Sequence, residues 1–172
     1  MQPWLIWIDD KPENISEFVS STQSHGITIF QFFLTTSTKA WINANKGWMQ
    51  CALFSLFISS KLPADELCQN DDCHQLRFIM DNAQWEHQTV DGAPVDSFLN
   101  PSAGEHILQF LRGRQHKALV LVFCGSSISF MSYVLSYRQS GSTTLNNVCL
   151  SYISAFTEGE VDDREWELFD VT

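Results

Sequence analysis

ALVLVFCG, residues Ala118–Gly125, is apolar throughout, and that run limits the fold more than any other feature of the chain. A strand with no polar alternation offers no face to water and is buried on both sides. WLIWI at residues 4–8 reads as a short buried strand, ITIFQFFL at 27–34 as a second strand, and LRFIM at 76–80 as another apolar run. Between these runs lie segments with helical spacing. Pro12 suits the first turn of a helix, and Ile15, Phe18 and Val19 then share one side. Ser37-Thr38 reads as the cap of a short helix that ends near Gly47, and AGEHILQFLRGR as a helix with Ile107, Leu108 and Leu111 inward. Strands that alternate with helices predict a mostly parallel sheet covered on both faces. In such sheets the ligand site lies at the carboxyl ends of the strands.

Some segments are less regular. Residues 48–75 contain CALFSLFI, which fits a strand or a helix, and then a polar stretch; they read as an insertion. NAQWEHQTVDGAPVDSFLNPS reads as a long loop, with Glu86 and His87 as surface groups. SISFMSYVLSYRQSG reads as a helix ending at Gly141, with Phe130, Val134 and Tyr137 on one face and Met131 and Leu135 on the other. One of those faces must be core, and the other, if exposed, suits a partner helix or a homodimer. NVCLSYISAF fits a strand, a helix, or one running into the other. EGEVDDREWELFDVT forms an acidic C-terminal tail over residues 158–172, after a single domain at 1–157.

Composition removes several function classes. Twenty acidic residues against ten basic ones leave a formal charge of −10, which repels phosphate backbones and anionic membranes. Neither nucleic acid nor membrane is expected as a partner, and the longest apolar run is too short to span a bilayer. With no basic, cleavable leader visible, the chain reads as cytoplasmic. Five cysteines (Cys51, Cys68, Cys73, Cys124, Cys149) at irregular spacing read as reduced thiols. Cys68, Cys73 and His74 do not match a zinc-site spacing and read as a polar loop. CGSSIS at 124–129 lacks the frame of a nucleophile elbow.

The acidic residues at strand ends carry the chemistry. WLIWI runs into Asp9-Asp10, and LRFIM runs into Asp81. If those strands are neighbours in a parallel sheet, three carboxylates converge. Such a cluster must take up a proton or bind a hard cation, and Mg²⁺ suits an all-oxygen donor set.

LIWIDDKPENI, together with that strand order, resembles the opening of a response-regulator receiver domain, in particular divergent, pseudo-receiver forms. GITIFQFFLTTSTKAWI is similar to the second strand and helix of that family, LRFIMDNAQWE to the third strand, AGEHILQFLRGR to the next helix and ALVLVFCGSS to the fourth strand with its switch loop. The resemblance covers residues 4–157 and implies a three-layer α/β/α, flavodoxin-like architecture with five strands. It also implies that Asp9, Asp10 and Asp81 hold Mg²⁺, that Asp81 accepts the phosphoryl group, and that Asn82 or Ala83 lends a backbone carbonyl. Cys124 falls at the switch position, with Ser126 and Ser127 beyond it. A rival register through ALFSLFISSKLP would put Ser59 at the acceptor position. The family's fifth strand carries a lysine that pairs with the phosphoryl group, whereas residues 141–152 contain no Lys or Arg.

The expectation is a non-enzymatic signalling or interaction module that works through a protein partner or homodimer over residues 126–157. The alternatives are a Mg²⁺-dependent phosphohydrolase or phosphotransferase on the same aspartates, and a purely structural domain of a larger protein.

Overall fold

Four successive residues of the first strand, Leu5 to Ile8, are buried, so both of its faces are covered. In the computed structural model, which describes residues 3–45, 75–90, 93–116, 118–124 and 128–156, β1 spans Pro3–Ile8. Leu5 and Trp7 enter one hydrophobic cluster, while Ile6 and Ile8 enter another. Successive side chains of a strand point to opposite faces, so the two clusters lie on opposite sides of the sheet. The remaining strands are β2 (Thr28–Phe32), β3 (Gln75–Met80), β4 (Gln84–Val90), β5 (Ala93–Asn100), β6 (Leu119–Phe123) and β7 (Ser140–Thr143). Five of them form one sheet in the order β2-β1-β3-β6-β7, with every neighbouring pair parallel. This is the three-layer, flavodoxin-like arrangement expected from the sequence.

The covering helices follow from their apolar spacing. Helix α1 (Ser16–Ser24) places Phe18 against Leu5 and Trp7 in one cluster. On the other face, α2 (Thr35–Ala44) contributes Ile42, and α3 (Ala103–Gly113) contributes Ile107, Leu108 and Leu111. Helix α4 (Asn146–Ser154) returns to the first face and buries Cys149, Tyr152 and Ile153. Each such fully buried side chain contributes about 1.5–3 kcal/mol relative to exposure. Cys124 and Cys149 are free thiols and buried, as expected. Among the described residues no helix is long and apolar enough to cross a membrane.

Three expectations need correction. Residues 84–100 are not a loop: β4 and β5 form an antiparallel hairpin, with Trp85 opposite Leu99 and Glu86 opposite Phe98. Val90 pairs with Ala93, leaving two residues between the strands. Those residues are Asp-Gly, a dipeptide that favours two-residue hairpin turns. Helix α2 begins before Ser37, and the hydroxyls of Ser37 and Thr38 both donate back to the Leu34 carbonyl instead of capping a later start. The helix expected to end at Gly141 is a 3-10 segment over Ile128–Ser136, and Gly141 lies inside β7. Its aromatic and β-branched residues are weak α-helix formers. On that segment Val134 is core and Leu135 is exposed. The open reading at NVCLSYISAF resolves as helix.

Of the insertion expected over 48–75, Gln75 opens β3, and residues 48–74, including Ser59, Cys51, Cys68, Cys73 and His74, lie outside the described residues, as do Ser126, Ser127 and the acidic tail.

Candidate functional site

Asp9 and Asp81 are brought together by the β1–β3 ladder. Ile8 pairs with Met80, and one step further the Asp81 N–H donates to the Ile8 carbonyl at 2.9 Å. On the other side, the Asp9 N–H donates to Phe32 of β2 at 3.0 Å. Asp10 completes the group. Carboxylate oxygens of Asp9, Asp10 and Asp81 all lie within 4.8 Å of one another at the carboxyl edge of the sheet. Asp9 is buried, and the other two are half-buried.

Backbone N–H groups hold each carboxylate. Lys11 N–H donates to Asp9 Oδ1 at 2.8 Å, and Asn82 N–H donates to Asp81 Oδ1 at 2.6 Å. Trp85 N–H, from the hairpin, donates to Asp10 Oδ2 at 2.9 Å. Burial is the largest influence on Asp81 and raises its carboxyl above the ordinary range. The Cys124 side chain and the N–H groups of Asn82 and Ala83 oppose that rise, while the charge of Asp10 adds to it. Cys124, which the family resemblance would put at the switch position, therefore stands against Asp81 at the end of β6.

The turn after Asp81 is packed tightly. Gly104, in the first turn of α3, donates its N–H to the Asn82 carbonyl at 3.1 Å. A Cβ at residue 104 would lie 2.9 Å from the Asp81 carbonyl oxygen and 2.7 Å from the Tyr133 hydroxyl. Tyr133, on the 3-10 segment, donates that hydroxyl to Asn82 Oδ1 at 3.0 Å. Burial pushes the Tyr133 phenol well above its ordinary range, so it stays a donor. Gln84 is 1% exposed, and neither of its amide atoms has a hydrogen-bond partner among the described residues.

No family model matches the sequence, and no curated protein does. A solved structure does match: the signal receiver domain of a Vibrio parahaemolyticus protein described as a Luxo repressor, at 12% identity and a TM-score of 0.52, over 99% of this chain and 97% of that one. The fold is that of a receiver domain. At that identity the likeness speaks to the fold alone, and the site stands on its own geometry.

Within the receiver fold, the strand beside β1 is β3, and the residue that follows it is Asp81. The fifth strand of the sheet, β7, ends at Thr143, which is buried and accepts the Leu145 N–H through Oγ1 at 3.1 Å. β7 itself, Ser140–Thr143, carries no cationic side chain. Glu86 is not part of the carboxylate group; its Oε1 accepts Thr35 Oγ1 at 2.6 Å and Asn100 Nδ2 at 3.0 Å, which ties the hairpin to the start of α2.

Tyr133, Gly104 and Trp85 were not singled out by the sequence reading. Asp-Gly between two β-prone runs was the available signal for Trp85. Nothing local marks the other two, because their partners are distant in sequence.

Proposed function

We propose that the chain is a receiver-like signalling module that binds Mg²⁺ through Asp9, Asp10 and Asp81, with Asp81 at the phospho-acceptor position. The observation that carries this reading is the convergence of three carboxylates within 4.8 Å at the carboxyl ends of β1 and β3. All of the donors are oxygens, as a hard divalent cation requires. The Asn82 carbonyl already accepts Gly104 N–H, so Ala83 is the better candidate for a carbonyl ligand. When bound, the ion's chemistry is that of a Lewis acid that offsets charge on a phosphoryl oxygen.

The chain's own residues divide the remaining work. Asp81 offers the nucleophilic carboxylate. Cys124 contacts that carboxylate as a weak donor where a hydroxyl would be a stronger one. Thr143 supplies no positive charge, so a phosphoaspartate is poorly neutralised and short-lived. Tyr133 links Asn82 to the 3-10 segment, and output would then pass through protein contacts made over residues 126–157.

Treatment with beryllium fluoride, with and without Mg²⁺, tests this reading. The expected result is a Mg²⁺-dependent rise in Tm of about 5 °C that is lost in Asp81→Asn. Acetyl phosphate should give a transient adduct of one phosphoryl group by intact mass. If neither metal-dependent stabilisation nor an adduct is seen, the domain is structural. Turnover of a phosphate ester that is abolished in Asp10→Asn would make it an enzyme instead.

A further inference from the structure

The β4–β5 hairpin stands apart from the five-stranded sheet as a separate two-stranded ribbon, and such a ribbon is marginal on its own. Bonds at its base seat it on the rest of the fold. Trp85 donates its backbone N–H to Asp10 Oδ2 at 2.9 Å. Glu86 Oε1 accepts the Thr35 hydroxyl at 2.6 Å, and Asn100 Nδ2, from the residue paired with Gln84, donates to the same oxygen at 3.0 Å. One bond thus runs to the carboxylate group and another to the start of α2.

Gln84 opposes them. It opens β4, is almost wholly buried, and neither of its amide atoms has a hydrogen-bond partner among the described residues. Asn82, two residues earlier and also buried, shows the satisfied alternative, since its Oδ1 accepts the Tyr133 hydroxyl at 3.0 Å. A buried amide left unpaired costs free energy that contact with water would return. The seated hairpin therefore carries a penalty one residue away from the bond that holds Asp10.

We infer that seating of the hairpin base, residues 84–86 against 98–100, is coupled to cation binding at Asp10. The Trp85 N–H is the positioning group, and the unpaired Gln84 amide is the cost that keeps seating reversible. The inference rests on the Mg²⁺ reading of the carboxylates proposed above. A hydrogen bond to one oxygen of a ligating carboxylate fixes the direction of the other. A seated hairpin holds Asp10 in one orientation, and a released hairpin leaves it free to turn. Linkage makes the effect reciprocal: whatever seats the hairpin tightens the ion, and the ion favours the seated hairpin by the same factor.

Two measurements on the full chain test the coupling with Mg²⁺ alone as the probe: its Kd by calorimetry, and hydrogen exchange at the hairpin base by mass spectrometry. Saturating Mg²⁺ should slow exchange over 84–86 and 98–100 of the wild type about fivefold. Gln84→Met roughly keeps the volume and removes the unpaired amide. It should slow the same exchange about fivefold without metal and tighten Mg²⁺ about twofold. Trp85→Pro deletes the donor and should weaken Mg²⁺ about fivefold. A Gln84 with a structural role alone would change stability and leave the Kd untouched, so the Kd decides. An unchanged or weaker Kd in Gln84→Met, or an unchanged Kd in folded Trp85→Pro, overturns the coupling and leaves the metal reading standing. So does Mg²⁺ binding to wild type with no slowing at the hairpin base. Absence of Mg²⁺ binding by the wild type overturns both. If Trp85→Pro does not fold, the Kd and exchange of Gln84→Met decide between the same outcomes.

Discussion

The two edges of the central sheet treat charge in opposite ways. Toward the amino edge, two guanidinium groups are surrounded by acceptors. Arg77 of β3 is buried, donates to the carbonyls of Tyr152 and Ala155 at the end of α4, and lies over the rings of Tyr152 and Phe156. A cation at a helix C-terminus also meets the negative end of its dipole. Arg112 of α3 donates to the carbonyls of Arg138, His116, Ala118 and Gln139, which lie just ahead of β6 and β7. At the carboxyl edge, three carboxylates crowd together and accept backbone N–H groups, and the buried Gln84 amide has no partner among the described residues. One edge spends its charges on holding the fold. The other gathers three like charges within 4.8 Å, which is where the proposed Mg²⁺ site lies.

If the amino edge is the structural one, damage there should be the most severe. Arg77→Met strips the charged donors from two carbonyls at the end of α4, and one of those bonds is fully buried. The expected loss is about 3 kcal/mol in urea denaturation. A loss below about 1 kcal/mol would mean that the packing of Tyr152 and Phe156 holds α4 without the guanidinium.

Gly104→Ala probes how the acidic edge is seated on its support. Alanine should favour the helix by about 1 kcal/mol over glycine. Its Cβ would nevertheless sit 2.9 Å from the Asp81 carbonyl and 2.7 Å from the Tyr133 hydroxyl. The net result should be destabilisation of about 2 kcal/mol. Adding Tyr133→Phe removes one of the two crowding atoms and should recover part of the loss, which a double-mutant cycle would reveal. Full recovery would show that the Asp81 turn can move away from α3.

Much of this contrast could be read in advance, and the exceptions have physical causes. The sheet was legible because β1 and β6 are apolar throughout, and the acidic triad because aspartate recurs after two of those strands. Cys124 was legible by its position at the end of β6. The hairpin was missed because Asp91-Gly92 sits among polar residues whose alternation is weak, and turn-rich composition outweighed it. The segment at 128–136 carries a helix-like apolar spacing that a 3-10 segment also satisfies. Arg77 carried no signal of its own within an apolar run. Its role depends on carbonyls more than seventy residues away, and no local pattern encodes such a contact.

The mildest change tests whether the carboxylates of the acidic edge burden the fold. Burial and the Asp10 charge hold the Asp81 carboxyl above its ordinary range. Between the ordinary carboxylate value and that raised value, the folded state keeps a proton that the unfolded state has released. The folded state thus binds more protons across this window, and the Asp81 contribution to stability falls as pH rises through it. At neutral pH, with chelator present, the ionised cluster is therefore a cost, and Asp81→Asn should be more stable than wild type by about 1 kcal/mol. That advantage should shrink toward acid pH, where wild-type Asp81 is protonated too. Mg²⁺ should erase or reverse it, because the ion stabilises the wild type by mass action and the variant less. Urea titrations of both proteins across mildly acid to neutral pH, with and without Mg²⁺, measure all three. A variant less stable than wild type at neutral pH without metal would place Asp81 among the structural charges, and the contrast between the two edges would then fail.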